Sequence, residues 1–233
     1  MTRTLYDQPR YRVAGDQGIM MELGETISPV IHERILAMLL ALDGAKPEGV
    51  VECSPAYRSI TILYDPLATS FERLREQLDE MYGRSGAIAL PTPEIVELPV
   101  CYGGGFGPDL AFVAASHNLS EKEVIRLHSG PDYFVYMLGF SPGFPFLGGL
   151  PEELHTPRLE SPRKKVPAGS VGIAGGQTGV YPIESPGGWQ LIGRTPVKLF
   201  DCERTNPFLL STGNILRFKP IGEEEYLALS GEV

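Results

Sequence analysis

Apolar residues in the first hundred positions recur with two periods, one typical of strands and one of helices. Helical spacing marks two segments: Ile31, Ile35, Leu39 and Leu42 in the first, and Phe71, Leu74, Leu78 and Met81 in the second. The first follows Ser28 and Pro29, and the second a capping box beginning at Thr69. Strands are predicted at 11–13, 18–23, 50–54, 59–64 and 95–100. This order predicts an α+β, ferredoxin-like sandwich with an extra N-terminal hairpin, as a domain over residues 1–90.

The pattern changes after Cys101. Seventeen of the 27 glycines lie between Gly103 and Gly193. One helix is predicted where a capping box at Ser120 and Glu123 precedes apolar residues. The other apolar segments are short and bounded by Gly or Pro: 133–138, 169–174, 189–192, 197–200, 215–218 and 226–229. Such segments predict an all-β barrel or sandwich over residues 91–233.

Composition narrows the class of protein. The chain is 42% hydrophobic and 21% charged, as in globular proteins, and no apolar run reaches the length of a membrane helix. The N-terminus does not resemble a signal peptide, so we expect a cytoplasmic protein without a membrane partner. The three cysteines and four histidines are too scattered in sequence for a disulfide framework or a metal site.

Charge points away from nucleic acid, because the net charge is −9 and phosphate binding needs a basic surface. Residues 154–200 nevertheless contain six cations and two anions, a local net charge of +4. This segment suits a small anionic ligand or an acidic partner, although a solvated surface would look the same.

An unusual run of aromatic residues occupies 136–150, and its glycines and prolines predict an irregular loop rather than a regular helix or strand. Its rings either pack into a core or line a pocket or a partner interface. The same alternatives apply to the single tryptophan. The candidate pocket or partner residues are Phe140, Pro142, Phe144, Phe146 and Trp189.

The polar candidates follow in the basic segment. Arg158 and Arg163 stand beside prolines and could clamp a carboxylate or phosphate, or could be ordinary surface arginines. Gln177 lies between glycines and offers a donor and an acceptor to an amide. Tyr181, which lies with Gln177 in the stretch 175–182, and Arg194 complete the predicted substrate-binding set.

No nucleotide-binding, metalloprotease or nucleophile-elbow motif is present. We therefore assign no catalytic residue from the sequence and expect this chain not to act as a self-contained enzyme.

Residues 139–196, from Gly-Phe-Ser-Pro-Gly-Phe-Pro to Gly-Arg-Thr-Pro, resemble the allophanate hydrolase subunit 1 family, also described as carboxyltransferase subdomains C and D. Residues 52–60 agree more loosely. The family includes the B subunits of bacterial 5-oxoprolinases and a sporulation kinase inhibitor. The resemblance implies a cyclophilin-like barrel from near Leu98. It also implies a complex with the C and A subunits of 5-oxoprolinase, which uses ATP to open 5-oxoproline, a small anionic cyclic amide, to L-glutamate. Prolyl isomerase activity does not follow from the fold.

Two alternatives stay open within this resemblance. The barrel could inhibit a histidine kinase, or the chain could belong to a system that hydrolyses allophanate or urea.

Overall fold

A computed structural model of the protein describes residues 5–231, and the chain divides into two units after Thr92. The elements of the first unit are β1 (Leu5–Val13), β2 (Gly18–Gly24), α1 (Pro29–Ala45), β3 (Val50–Pro55), β4 (Ser59–Tyr64) and α2 (Phe71–Ser85).

The four strands of the first unit form one antiparallel sheet in the order β1-β2-β4-β3. The apolar stripes of both helices pack with this sheet in a single core. Its most buried members are Ile19, Met21, Leu23, Ile31, Ile35, Met38, Ile60, Ile62, Leu74 and Leu78. The period-two and helical patterns of the sequence therefore identify this core correctly.

The helix starts follow from local hydrogen bonds. Ser28 caps α1, where its Oγ accepts a hydrogen bond from the N–H of Ile31 at 3.3 Å. The cap of α2 is Ser70 rather than Thr69, because it is the Ser70 Oγ that accepts from the Arg73 N–H at 3.2 Å. The predicted box was thus one residue too early.

The second unit contains most of the short strands. Its elements are β5 (Ile95–Tyr102), α3 (Leu110–Ser116), α4 (Glu121–Ser129), β6 (Tyr133–Leu138), β7 (Pro145–Gly148), β8 (Arg163–Val166), β9 (Ser170–Ala174), β10 (Gln177–Val180), β11 (Ser185–Gly187), β12 (Gln190–Arg194), β13 (Ile215–Ile221) and α5 (Glu223–Ser230). The capping box predicted for α4 is confirmed, with Ser120 and Glu123 bonding reciprocally.

Seven of these strands form a nearly closed barrel in the order β10-β9-β12-β5-β13-β6-β7, since β10 and β7 lie beside each other. All neighbours are antiparallel except β5 and β13, which pair in parallel from Ile95–Ile215 to Cys101–Ile221. Strands β8 and β11 form a separate two-stranded antiparallel pair. Two predictions for this unit are wrong: residues 145–148 of the aromatic run form the strand β7, and residues 226–229 lie in the helix α5.

One strand lies in a different sheet from the one predicted. The segment 95–100, expected to close the first sheet, is the central strand β5 of the barrel. The place beside β2 is taken by β1 instead. Local apolar alternation identifies a strand but not its partner, and the long parallel register with β13 decides the sheet that β5 joins.

A chain of hydrogen bonds lies inside the second unit. The hydroxyl of Tyr102 is 2.8 Å from Nδ1 of His128, and Nε2 of His128 is 2.8 Å from Oγ1 of Thr178, which donates to the carbonyl of Gly172 at 3.0 Å. Because the Thr178 proton goes to that carbonyl, the ring carries its proton on Nε2 and accepts from Tyr102 on Nδ1. Every polar atom of the buried imidazole is thereby satisfied.

Two features are absent from residues 5–231. No helix there is long and apolar enough to cross a membrane. No group of three His, Cys, Asp or Glu side chains in that range could hold a metal ion. The three cysteines, Cys53, Cys101 and Cys202, are free thiols.

Candidate functional site

A cavity of about 630 Å³ opens in the second unit, between the aromatic run and the segments around β8 and β11. Five aromatic side chains line it: Phe140, Phe144, Phe146, Tyr181 and Trp189. Proline, glycine and one leucine complete the wall: Leu159, Pro162, Pro186, Gly187 and Gly188. Among the described residues, Arg158 is the one charged member of this lining, so the cavity wall is apolar apart from a single cation.

Phe144 holds the aromatic residues together. Its ring meets those of Tyr181 and Trp189 edge to face, with centroids 5.7 and 5.6 Å away, and that of Phe146 at 5.2 Å. These separations and angles are the ones that aromatic quadrupoles favour. Phe144, Tyr181 and Trp189 are buried, and together with Val166, Ala174 and Leu191 they form a core cluster under the cavity. The aromatic residues thus serve both as core and as pocket wall.

Phe140 lies at the mouth of the cavity in a strained conformation. Its φ is 65°, in the left-handed region that bulky residues rarely adopt, and its side chain is 72% exposed. Backbone hydrogen bonds hold this turn: the Gly139 N–H donates to the Phe144 carbonyl at 3.1 Å, and the Ser141 N–H donates to the Gly139 carbonyl at 2.7 Å. Strain and exposure in a bulky apolar residue point to a role in contacting a ligand or partner.

The hydroxyl of Tyr181 lies against the backbone of the cavity wall. A methyl group at Gly187 would come within 2.3 Å of it. Burial raises the pKa of Tyr181 above its ordinary value of 10.0, although the Trp189 N–H and the guanidinium groups of Arg158 and Arg163 oppose the rise. The hydroxyl therefore stays protonated at neutral pH and can donate a hydrogen bond.

Arg158 is exposed at the edge of the cavity. No carboxylate among the described residues pairs with its guanidinium. A guanidinium without an ion pair, beside an apolar cavity, is suited to bind a ligand carboxylate or phosphate.

Six of the residues predicted from the sequence line the cavity, and the other four lie outside its lining. Phe140, Phe144, Phe146, Arg158, Tyr181 and Trp189 line it. Outside the lining, Pro142 is exposed in the loop and Gln177 begins β10. Arg194 donates from Nε to the Ala168 carbonyl at 2.8 Å. Arg163 pairs with Asp109, with Nη2 at 2.7 and 2.8 Å from the two carboxylate oxygens.

Sequence reasoning missed two groups of residues near the cavity. Leu159, Pro162 and Pro186 line it although they carry no distinctive chemistry. Asp109 lies more than fifty residues from its partner Arg163, and no local signal connects the two.

Comparison with known proteins identifies the family. A family model described as carboxyltransferase domain, subdomain C and D, matches residues 9–210. The chain belongs to this family. The resemblance predicted from the 139–196 motif is thereby confirmed.

Within the family, curated relatives match nearly the whole chain. A protein named as the B subunit of 5-oxoprolinase from Bacillus subtilis is 43% identical over 96% of this chain and 98% of its own length. A protein of the same name from Escherichia coli O157:H7 is 47% identical, covering 91% and 95%. A urea amidolyase from Lachancea kluyveri is 26% identical over 92% of this chain but only 13% of its own length.

Solved structures give the same fold in longer chains. The crystal structure of TTHA0988 matches with a TM-score of 0.77 and 40% identity over 88% of this chain. This chain spans 40% of the length of that protein. Kluyveromyces lactis urea carboxylase matches 99% of this chain and 24% of its own, with a TM-score of 0.77 at 23% identity, which shows the shared fold.

Proposed function

We propose that this protein is the B subunit of an ATP-dependent 5-oxoprolinase, which opens 5-oxoproline to L-glutamate in complex with the A and C subunits. The observation that carries the proposal is the aromatic cavity with Arg158 at its edge, in a chain 43% and 47% identical to proteins that bear this name.

The cavity chemistry suits 5-oxoproline, which combines a carboxylate with a flat lactam ring. Arg158 would take the carboxylate in a bidentate ion pair. Phe144 and Trp189 would cover the ring, and the protonated Tyr181 hydroxyl would donate to the lactam carbonyl. Such contacts orient the amide and exclude water from it until the ring is opened.

ATP is a poor match for this cavity. A triphosphate needs several cations or a cradle of backbone N–H groups, whereas the lining supplies one guanidinium among apolar walls. We therefore propose that ATP binds mainly on the partner subunits. The cavity of this chain would then hold the cyclic amide at a shared site.

The test is ADP release from ATP in the presence of 5-oxoproline, with the A and C subunits added separately and together. We expect activity only when all three subunits are present. Activity of this chain alone, or no activity of the full set, would contradict the proposal.

Arg158→Ala examines the substrate contact in the same assay. Loss of a charge-assisted hydrogen bond costs about 1.5–3 kcal/mol, so we expect the KM for 5-oxoproline to rise about 10- to 100-fold. Arg126→Ala is the matched control, because Arg126 is an exposed arginine of α4 outside the cavity. Arg158→Lys should be intermediate, since an ammonium cannot form the bidentate pair.

The predicted contacts of Gln177 and Arg194 with substrate stay predictions. Neither lines the cavity, so we expect Gln177→Ala and Arg194→Ala to raise the KM less than Arg158→Ala does.

A second candidate is hydrolysis of urea or allophanate, favoured by the match to a urea amidolyase over 92% of the chain. Urea, unlike allophanate, has no carboxylate, so Arg158→Ala should leave the use of urea almost unchanged. The response of the KM to this one variant therefore separates use of 5-oxoproline from use of urea.

Finer aspects of fold and location belong to the same proposal. The order β1-β2-β4-β3 equals that of a ferredoxin-like sheet in which β1 takes the place of the last strand. We propose that the first unit is such a variant and that the barrel is cyclophilin-like. The proposed location is the cytoplasm, where ATP is available to the complex.

A further inference from the structure

Asp109 occupies the N-cap position of α3 but does not cap the helix. An aspartate there usually accepts hydrogen bonds from the first helical N–H groups. Its carboxylate instead accepts from the Leu191 N–H at 2.6 Å and from Arg163 at 2.7 and 2.8 Å, and no side-chain cap hydrogen bond forms at this described residue. A preferred local interaction is thus replaced by contacts with distant segments.

Arg163 extends this connection to the cavity wall. Besides the two bonds to Asp109, its Nη1 donates to the Trp189 carbonyl at 3.1 Å. The side chains of Arg163 and Asp109 are 28% and 14% exposed, so the pair is largely shielded from water and its geometry is constrained.

Trp189 carries the connection to the interior of the cavity. Its carbonyl accepts from Arg163, while its ring meets that of Tyr181 edge to face, with the centroids 6.3 Å apart. The neighbouring Gly188 carbonyl accepts from the Leu159 N–H at 2.8 Å. Hydrogen bonds therefore run from Asp109 through Arg163 to the Trp189 carbonyl, and the Trp189 ring continues the contact to Tyr181 in the cavity lining.

We propose that Asp109 and Arg163 are positioning residues, which hold the Trp189 backbone so that its ring and the Tyr181 hydroxyl face a ligand in the cavity. Neither Asp109 nor Arg163 lines the cavity itself. Their effect on a substrate is indirect, through the shape of the wall and the direction of the hydroxyl. The expected effect on turnover rests on the proposed function, whereas the expected effect on Trp189 does not.

Trp189 reports on this arrangement directly, since it is the only tryptophan of the chain. We expect Asp109→Asn and Arg163→Lys to raise the accessibility of Trp189 to acrylamide about twofold and to shift its emission. In the complex with the A and C subunits, the KM for 5-oxoproline should rise about 3- to 10-fold while kcat changes less than about twofold, because a displaced wall weakens binding.

The matched controls are Asp132→Asn and Arg217→Lys. Asp132 and Arg217 form a similar two-bond ion pair, at 2.5 and 2.9 Å, in the same unit but away from the cavity lining. Their variants should leave both the Trp189 quenching and the KM at wild-type values. Melting curves of all four variants show whether each is folded, and Arg163→Lys keeps the charge should Asp109→Asn not fold.

Unchanged Trp189 quenching in both Asp109→Asn and Arg163→Lys would overturn the proposal, whatever the KM does. Equal changes in the Asp132 and Arg217 controls would overturn it as well, because the effect would then reflect general loosening. An inactive wild-type complex would contradict the proposed function, while the quenching result would still decide the positioning role.

Discussion

His128 should make the second unit sensitive to mild acid. Its imidazole is completely buried, and burial lowers its pKa from 6.5 to about 3. The unfolded chain therefore takes up a proton as the pH falls below 6.5, whereas the folded chain does not. Stability is full above pH 6.5 and is lost as the pH falls toward the folded pKa.

The size of the effect follows from the two pKa values. Between pH 7 and pH 5 the unfolded histidine becomes almost fully protonated and the folded one stays neutral, which removes about 2 kcal/mol of unfolding free energy. The carboxyl groups of Asp132 and Asp201, whose pKa values the native contacts lower from 3.8, titrate below this window. The interval thus separates the histidine effect from theirs.

The assay is urea unfolding at pH 7, 6 and 5, followed by the fluorescence of Trp189 in the same unit. His128→Gln keeps a donor and an acceptor for Thr178 and Tyr102 but cannot be protonated in this range. The variant should be less stable at pH 7 and should lose about 2 kcal/mol less than the wild type on going to pH 5. His32, whose pKa burial lowers to about 4, is present in both proteins and its effect cancels.

An equal loss of stability in wild type and His128→Gln between pH 7 and pH 5 would refute the reasoning. It would mean that folding does not depend on the protonation of this ring.

Three further changes examine the cavity. Phe144→Ala removes the buried ring that four aromatic neighbours share and should lower the unfolding free energy by about 3–5 kcal/mol, measured by urea titration; a loss under about 1 kcal/mol would contradict its central place. Gly187→Ala puts a methyl group 2.3 Å from the Tyr181 hydroxyl and should cost about 1–3 kcal/mol, whereas the control Gly83→Ala, in open space on α2, should stabilise by up to about 1 kcal/mol. Phe140→Gly relieves a positive φ and should leave the melting temperature unchanged or higher while weakening 5-oxoproline binding; a clear loss of stability would show that the exposed ring serves the fold instead.

The positions of α1, α2 and α4 could be read from the sequence because their signals are local. Ser28 and Ser120 cap helices through bonds that span three residues, and apolar stripes on α1 and α2 mark their buried faces. The aromatic run around Phe144 is equally visible in the sequence, because three phenylalanines stand within seven residues among glycines and prolines. The same motif carried the family resemblance.

The roles of the arginines could not be predicted in this way. Arg158 and Arg163 stand five residues apart in similar proline-containing contexts, and both were predicted to bind substrate. Folding brings Asp109 to Arg163 but brings no carboxylate of the described residues to Arg158. An ion pair depends on distances between segments that are far apart in the chain, and residue type gives no information on them.

The sequence by itself determined the helices α1, α2 and α4, most strands, the aromatic cluster and the family, because each depends on residues near one another in the chain. The tertiary structure alone decided that β5 joins the barrel, that one arginine faces a cavity while another supports its wall, and that His128 is buried with all its hydrogen bonds made. These outcomes depend on register and packing between distant segments, where many alternatives satisfy the local pattern equally well and only the folded arrangement selects one.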